Sequence, residues 1–138
     1  MEHQSEIIDV LQQAVADAVA NSDDADLPVS YMMMSFSVPN DGRWLEIVHI
    51  PNDDPNAFID DAMNYQGLLR LVLHWPKSSG DVYGPVNLLA SIAAYFAKGK
   101  TLSGVQFYEK PTFAGLVPDN DEMLLPVSIR YNAFRKGN

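Results

Sequence analysis

Apolar and polar positions alternate with a period of two along residues 65–75 (YQGLLRLVLHW). Tyr65, Leu69, Leu71, Leu73 and Trp75 fall on one side, with Gly67 as the one gap, and Gln66, Arg70 and His74 on the other. That is the pleat of a β-strand with one face in the core and the other half-wet. After the polar stretch KSSGDVYG the period changes, and Val86, Leu89, Ile92, Ala93 and Phe96 recur at helical spacing. Gly84-Pro85 opens this helix, where a proline costs nothing, and Gly99 stands beyond it as a stop. Burying the four large side chains of that stripe contributes on the order of 6–12 kcal/mol gross, an upper bound because unfolded chains are already partly collapsed.

The flanking segments extend the pattern in both directions. In residues 5–21, Ile7, Leu11, Ala14, Val15, Ala18 and Val19 recur every three or four positions, which predicts a first amphipathic helix ended by the acidic turn 21–26. Residues 28–36 (PVSYMMMSF) read as a strand whose methionines Met32, Met33 and Met34 pack into an uneven core or onto a partner. A turn at 38–42 leads to a strand at 44–51, apolar on both faces and so expected to be central. Residues 105–113 read as a strand near an edge, because Pro111 cannot donate to a ladder. The last strand, 123–133, alternates Met123, Leu125, Val127, Ile129, Tyr131 and Ala133 against Pro126, Ser128, Arg130 and Asn132. The predicted fold class is α+β: a single sheet of about five mostly antiparallel strands packed against two helices, in the order α-β-β-β-α-β-β. One domain over 1–138 is expected, with loose ends near 1–4 and 134–138.

The connection 52–64 (NDDPNAFIDDAMN) is longer than a hairpin loop requires, and loops of this length are commonly functional or disordered. Phe58 and Ile59 in its middle have no secondary-structure reason to be there. They either tuck back onto their own sheet or meet a partner.

Composition narrows the function. The 138 residues are 47% hydrophobic, enough for a core without staples, and the absence of cysteine excludes disulfides, Cys-based zinc sites and Cys nucleophiles. The longest apolar run is far short of a membrane helix, and acids stand at the N-terminus where a signal peptide carries lysines, so a soluble cytoplasmic protein is expected. Net charge is −9 and unevenly spread: residues 1–62 hold 13 acids and one base, residues 63–138 hold 5 acids and 8 bases. Such a chain lacks the basic patch of a DNA-binding module, and its acidic half suits a solvated surface, a basic partner, or a channel that DNA passes without adhering.

A search for chemistry finds no dinucleotide or phosphate loop, nucleophile elbow or zinc-protease motif. His49 and His74 lie on predicted strands and meet only if those strands pair in a suitable register. Asp53-Asp54 with Asp60-Asp61, and Asp119, Asp121 and Glu122, lack the alternation of a calcium loop. Glu46 and Glu109 read as solvated or paired with Arg70, Arg130 or Lys110. No catalytic, cofactor or metal residues are assigned.

The order of four segments is more telling than any motif: WLEIVHIPNDDPNAF, YQGLLRLVLHWPKSSG, VNLLASIAAYFAKGK and VQFYEKPTFAGLVPDNDEMLLPVSIRY. Over residues 43–134 the chain resembles the tail-terminator-like proteins of long-tailed bacteriophages, a family of minor tail or tail-completion proteins. The resemblance implies a structural ring, commonly a hexamer, that caps the tail tube, stops tail growth and offers the head-joining surface. Its implied partners are further copies of itself, the tail tube protein and the head-side connector protein. DNA passes the lumen without specific binding, no cofactor or membrane is involved, and the protein resides in the virion tail after assembly in the host cytoplasm. The expected contact residues are Asp53, Asp54, Phe58, Ile59, Asp60, Asp61, Arg70, Tyr108 and Arg130. Alternative readings are another neck or connector protein, or a small ligand-binding or enzymatic domain.

Overall fold

The computed structural model describes residues 2–32, 34–52 and 63–135, and the side chains of 6–32, 34–51 and 66–133. Helix α1 spans Glu2–Ala20 and α2 spans Tyr83–Ala93. The strands are β1 (Val29–Ser30), β2 (Trp44–Asn52), β3 (Met63–Pro76), β4 (Thr101–Leu102), β5 (Val105–Phe107), β6 (Thr112–Phe113), β7 (Val117–Asp119) and β8 (Glu122–Arg135). All eight belong to one sheet in the order β1-β2-β3-β8-β5-β4, with β6 and β7 also pairing with β8. The class is α+β with two helices over one sheet, as the periodicities predict.

Two long antiparallel strands form the spine. β3 and β8 pair without a break from Met63↔Arg135 to Pro76↔Glu122. Their alternation puts Leu69, Leu71, Leu73 and Trp75 with Leu125, Val127, Ile129 and Tyr131 on one buried face. The stripe of α1 (Leu11, Ala14, Val15, Ala18, Val19) and that of α2 close over this face, joined by Leu45 and Ile47 of β2. Pro126 interrupts neither ladder. Its carbonyl accepts from Ala114 N–H on the side away from β3, and a residue's N–H and C=O point the same way in an antiparallel strand. The missing donor therefore falls between β6 and β7, where no pairing to β3 is lost.

Gly67 owes its identity to a neighbour. It stands opposite Tyr131, and a Cβ there would lie 2.3 Å from the phenol oxygen and 2.5 Å from the ring. The gap in the β3 alternation is thus the seat of an aromatic ring lying across the backbone. Tyr131 reaches over it to a hydrogen bond with His49 Nε2 on β2. Burial pushes the Tyr131 phenol up to about 12 and pulls the His49 imidazole below its ordinary range. The retained phenol proton donates, and the neutral imidazole accepts.

Several expectations are corrected. The predicted strand 28–36 contributes only Val29–Ser30, paired parallel to β2; Met32 packs on the core, Met34 is exposed, and Met33 lies outside the described residues. β2 lies between β1 and β3, as its two apolar faces predict, but its cover is uneven: β3 pairs along its whole length and β1 with only two residues. Val86 turns outward and Leu88 inward on α2, while Phe96 reaches the core through a 3-10 turn, edge-on to Phe107 at 5.2 Å. The strand predicted at 105–113 is two, β5 and β6, broken at 108–111. β5 lies inside the sheet because β4, unforeseen, folds onto it through Ser103-Gly104, both at positive φ (47° and 85°), the signature of a two-residue hairpin turn. The loop predicted at 114–121 carries β7, hairpinned to β8 through Asn120 at φ 53°.

Gly67→Ala should lower stability by about 1–3 kcal/mol, because Tyr131 is too enclosed to move aside; chemical denaturation checks this, and an unchanged midpoint would contradict the seat. For His49 the folded state disfavours protonation, so its contribution is complete above the unfolded value near 6.5 and is lost as pH falls below it. Urea unfolding at pH 7.5 and pH 5 should show a larger acid loss for the natural chain than for His49→Gln; equal losses would count against the buried neutral imidazole.

Candidate functional site

The helices cover one face of the sheet, and the other face stays open. Even-numbered positions point there: Trp44, Glu46 and Val48 from β2, Leu68, Arg70, Val72 and His74 from β3, and Leu124, Ser128 and Arg130 from β8. Arg70 lies beside Val48 and Ser128 and is exposed. Arg130 stands diagonally across the ladder and pairs with Glu109 at 3.4 Å, each about half exposed. A surface pair of this kind contributes about 0–1 kcal/mol, so its interest is placement rather than stability. Tyr108 is half-buried in the break between β5 and β6. The fold therefore brings Arg70 and Arg130 onto one face, with Tyr108 at its border. Asp53, Asp54, Phe58, Ile59, Asp60 and Asp61 lie outside the described residues.

One polar cluster is built into this face. His74 is buried, stacked on Trp44 at 3.8 Å, with Nε2 at 2.9 Å from Glu46 and Nδ1 at 3.2 Å from Glu122. It ties β2, β3 and β8 together. The two carboxylates sit on opposite ring nitrogens, so the three groups do not converge on one point, and no set of three or more His, Asp or Glu among the described residues could hold a metal. His49 is half-buried on the other face of the sheet, and the two histidines do not meet.

An apolar cleft opens at the border where α2 meets β6 and β7. Val86, Leu89, Phe113, Gly115, Leu116, Leu125 and Pro126 line about 130 Å³. Its rim is exposed too: Tyr83 is 81% and Phe113 52% accessible, with Val82 and Val117 alongside. Asp81 positions the helix end by accepting from Gly84 N–H at 3.0 Å. Sequence reasoning missed this cleft, assigning Val86 to the buried stripe and 114–121 to a plain loop. Its signal was Leu116-Val117, apolar residues in a loop with no partner of their own, the same signal that singled out Phe58 and Ile59.

An α+β sheet covered on one face, with an open half-apolar face and an apolar border cleft, is a protein whose developed features are contact surfaces. The chain belongs to the phage tail terminator protein family, whose model matches residues 6–131. It is a structural component of the phage tail. No curated protein matches it. A solved structure is similar over 94% of each chain with a TM-score of 0.74 at 19% identity, which shows a shared fold.

Proposed function

We propose that the protein caps the completed tail tube as a ring of identical subunits, stops tube growth and presents the surface to which the head-side connector joins. The observation that carries this reading is family membership over residues 6–131, on a fold whose open features are contact surfaces. A ring of subunits each at −9 offers DNA phosphates no adhesive lining, which suits a passage that DNA crosses without being held. Its partners on this reading are copies of itself, the tube protein and the connector.

The acidic segment 53–62 between β2 and β3, shorter than the predicted connection 52–64 because Asn52, Met63 and Asn64 belong to the strands, serves in this reading as a contact arm, with Phe58 and Ile59 as anchors between Asp53-Asp54 and Asp60-Asp61. Arg70, Tyr108 and Arg130 belong to the same set of contacts.

A phage lacking the protein should make overlong tubes without heads, visible by electron microscopy, whereas tails of normal length would overturn termination. Replacing Phe58 and Ile59 together by serine should give a chain with the natural circular dichroism and melting curve that fails to enter particles. Loss of folding instead would show that both belong to the core.

A further inference from the structure

Asp-Gly occurs once in the chain, at Asp41-Gly42, and Asn-Gly does not occur. The pair sits in the turn that leads into β2. Gly42 N–H closes that turn by donating to Pro39 C=O at 3.0 Å, with Gly42 at φ 74°. A glycine nitrogen has no side chain beside it, so an Asp-Gly bond is open to rearrangement. The Gly nitrogen attacks the Asp Cγ, a C–N bond forms, and the N–H proton leaves with the carboxyl hydroxyl as water. Water then opens the five-membered imide at either carbonyl, which restores the natural bond or leaves a β-linked isoaspartyl bond. Nothing else is consumed. The attack needs a free amide nitrogen and a carboxyl in its acid form, since the ionised group has no hydroxyl to lose.

In the folded chain both reactants are engaged. The proton of the Gly42 nitrogen is given to Pro39. The Asp41 carboxylate accepts from Arg43 N–H at 3.0 Å through Oδ1, the closure of an Asx turn, and from Arg43 Nε at 3.3 Å through Oδ2. The Arg43 N–H first, and the guanidinium charge with it, hold the Asp41 carboxyl below its usual range. Arg43 is itself fixed: it precedes Trp44, the first residue of β2, and its guanidinium lies 5.2 Å over the ring of buried Trp75 on β3. Burial does not protect the pair, because the Asp41 side chain is 54% accessible. We propose that Asp41-Gly42 is the chain's site of isoaspartate formation, kept dormant in the folded state because Arg43 engages the carboxylate while Pro39 engages the Gly42 nitrogen.

The natural chain, Arg43→Ala and Arg43→Lys are held at neutral pH, folded or in guanidinium chloride. At intervals each is digested with a protease that cuts before aspartate but not before isoaspartate, and mass spectrometry reads the share left uncut at position 41. In the folded natural chain β-linkage should accumulate on the order of tenfold more slowly than in denaturant, because the reactive arrangement forms only when the turn opens. Folded Arg43→Ala should accumulate it several-fold faster than the natural chain, and Arg43→Lys, which keeps the charge but not the Nε donor, should fall between them. Circular dichroism shows whether each variant is folded, and if Arg43→Ala is not, Arg43→Lys against the natural chain decides. Equal rates folded and denatured would overturn the protection. Unchanged rates in both folded variants would overturn the role of Arg43, and β-linkage arising at other aspartates before position 41 in denaturant would overturn the site.

Discussion

The ladder between β3 and β8 is the constraint on which the rest of the molecule depends. Two fourteen-residue strands pair along their whole length, so one register error would turn every core side chain to solvent. Tyr131 pins that register. Its ring fits only over Gly67 and its hydroxyl finds His49 one strand further on, so three strands are indexed by one side chain. A glycine in a strand interior is ordinarily a weakness, and here its missing side chain makes room for the Tyr131 ring.

From this spine the distribution of surfaces follows. Both helices lie on the face where the alternation is apolar, which leaves the other face to Arg70, Arg130 and the His74 cluster. β8 is longer than any partner on its far side, and β5, β6 and β7 divide that side between them. Phe113 at the end of β6 and Leu116 before β7 stand exposed at the cleft beside α2. At the opposite border β1 protects only two residues of β2. A sheet finished in this way keeps one covered face and two unlike borders.

How far the sequence foretold this depended on length and local chemistry. β3, β8 and both helices were legible because their periods run long enough for burial to dominate. The short strands were not. β4, β6 and β7 hold two or three residues each and exist because β5 offers β4 a ladder and β8 offers one to β6 and β7, so no window of sequence carries their period. The segment 28–36 has strand-like composition, but β2 pairs with only Val29 and Ser30 of it. Gln12 of α1 takes the N–H of Met32 instead, at 2.7 Å. Arg70 and Arg130 were legible as outward residues, whereas the cleft was hidden because its walls come from α2, β6 and β8, which only the tertiary fold assembles. Family membership was readable from the order of four segments, none of them chemically distinctive.

The proposed function requires the chain to sit as a ring at the head-proximal end of the tail tube. Immunogold labelling of purified tails and whole virions with antibody to this chain tests it most directly. Label should be confined to the tube end that meets the head, with one cluster per tail. Label along the tube or at the distal tip, or on the head side of the joint only, would contradict it.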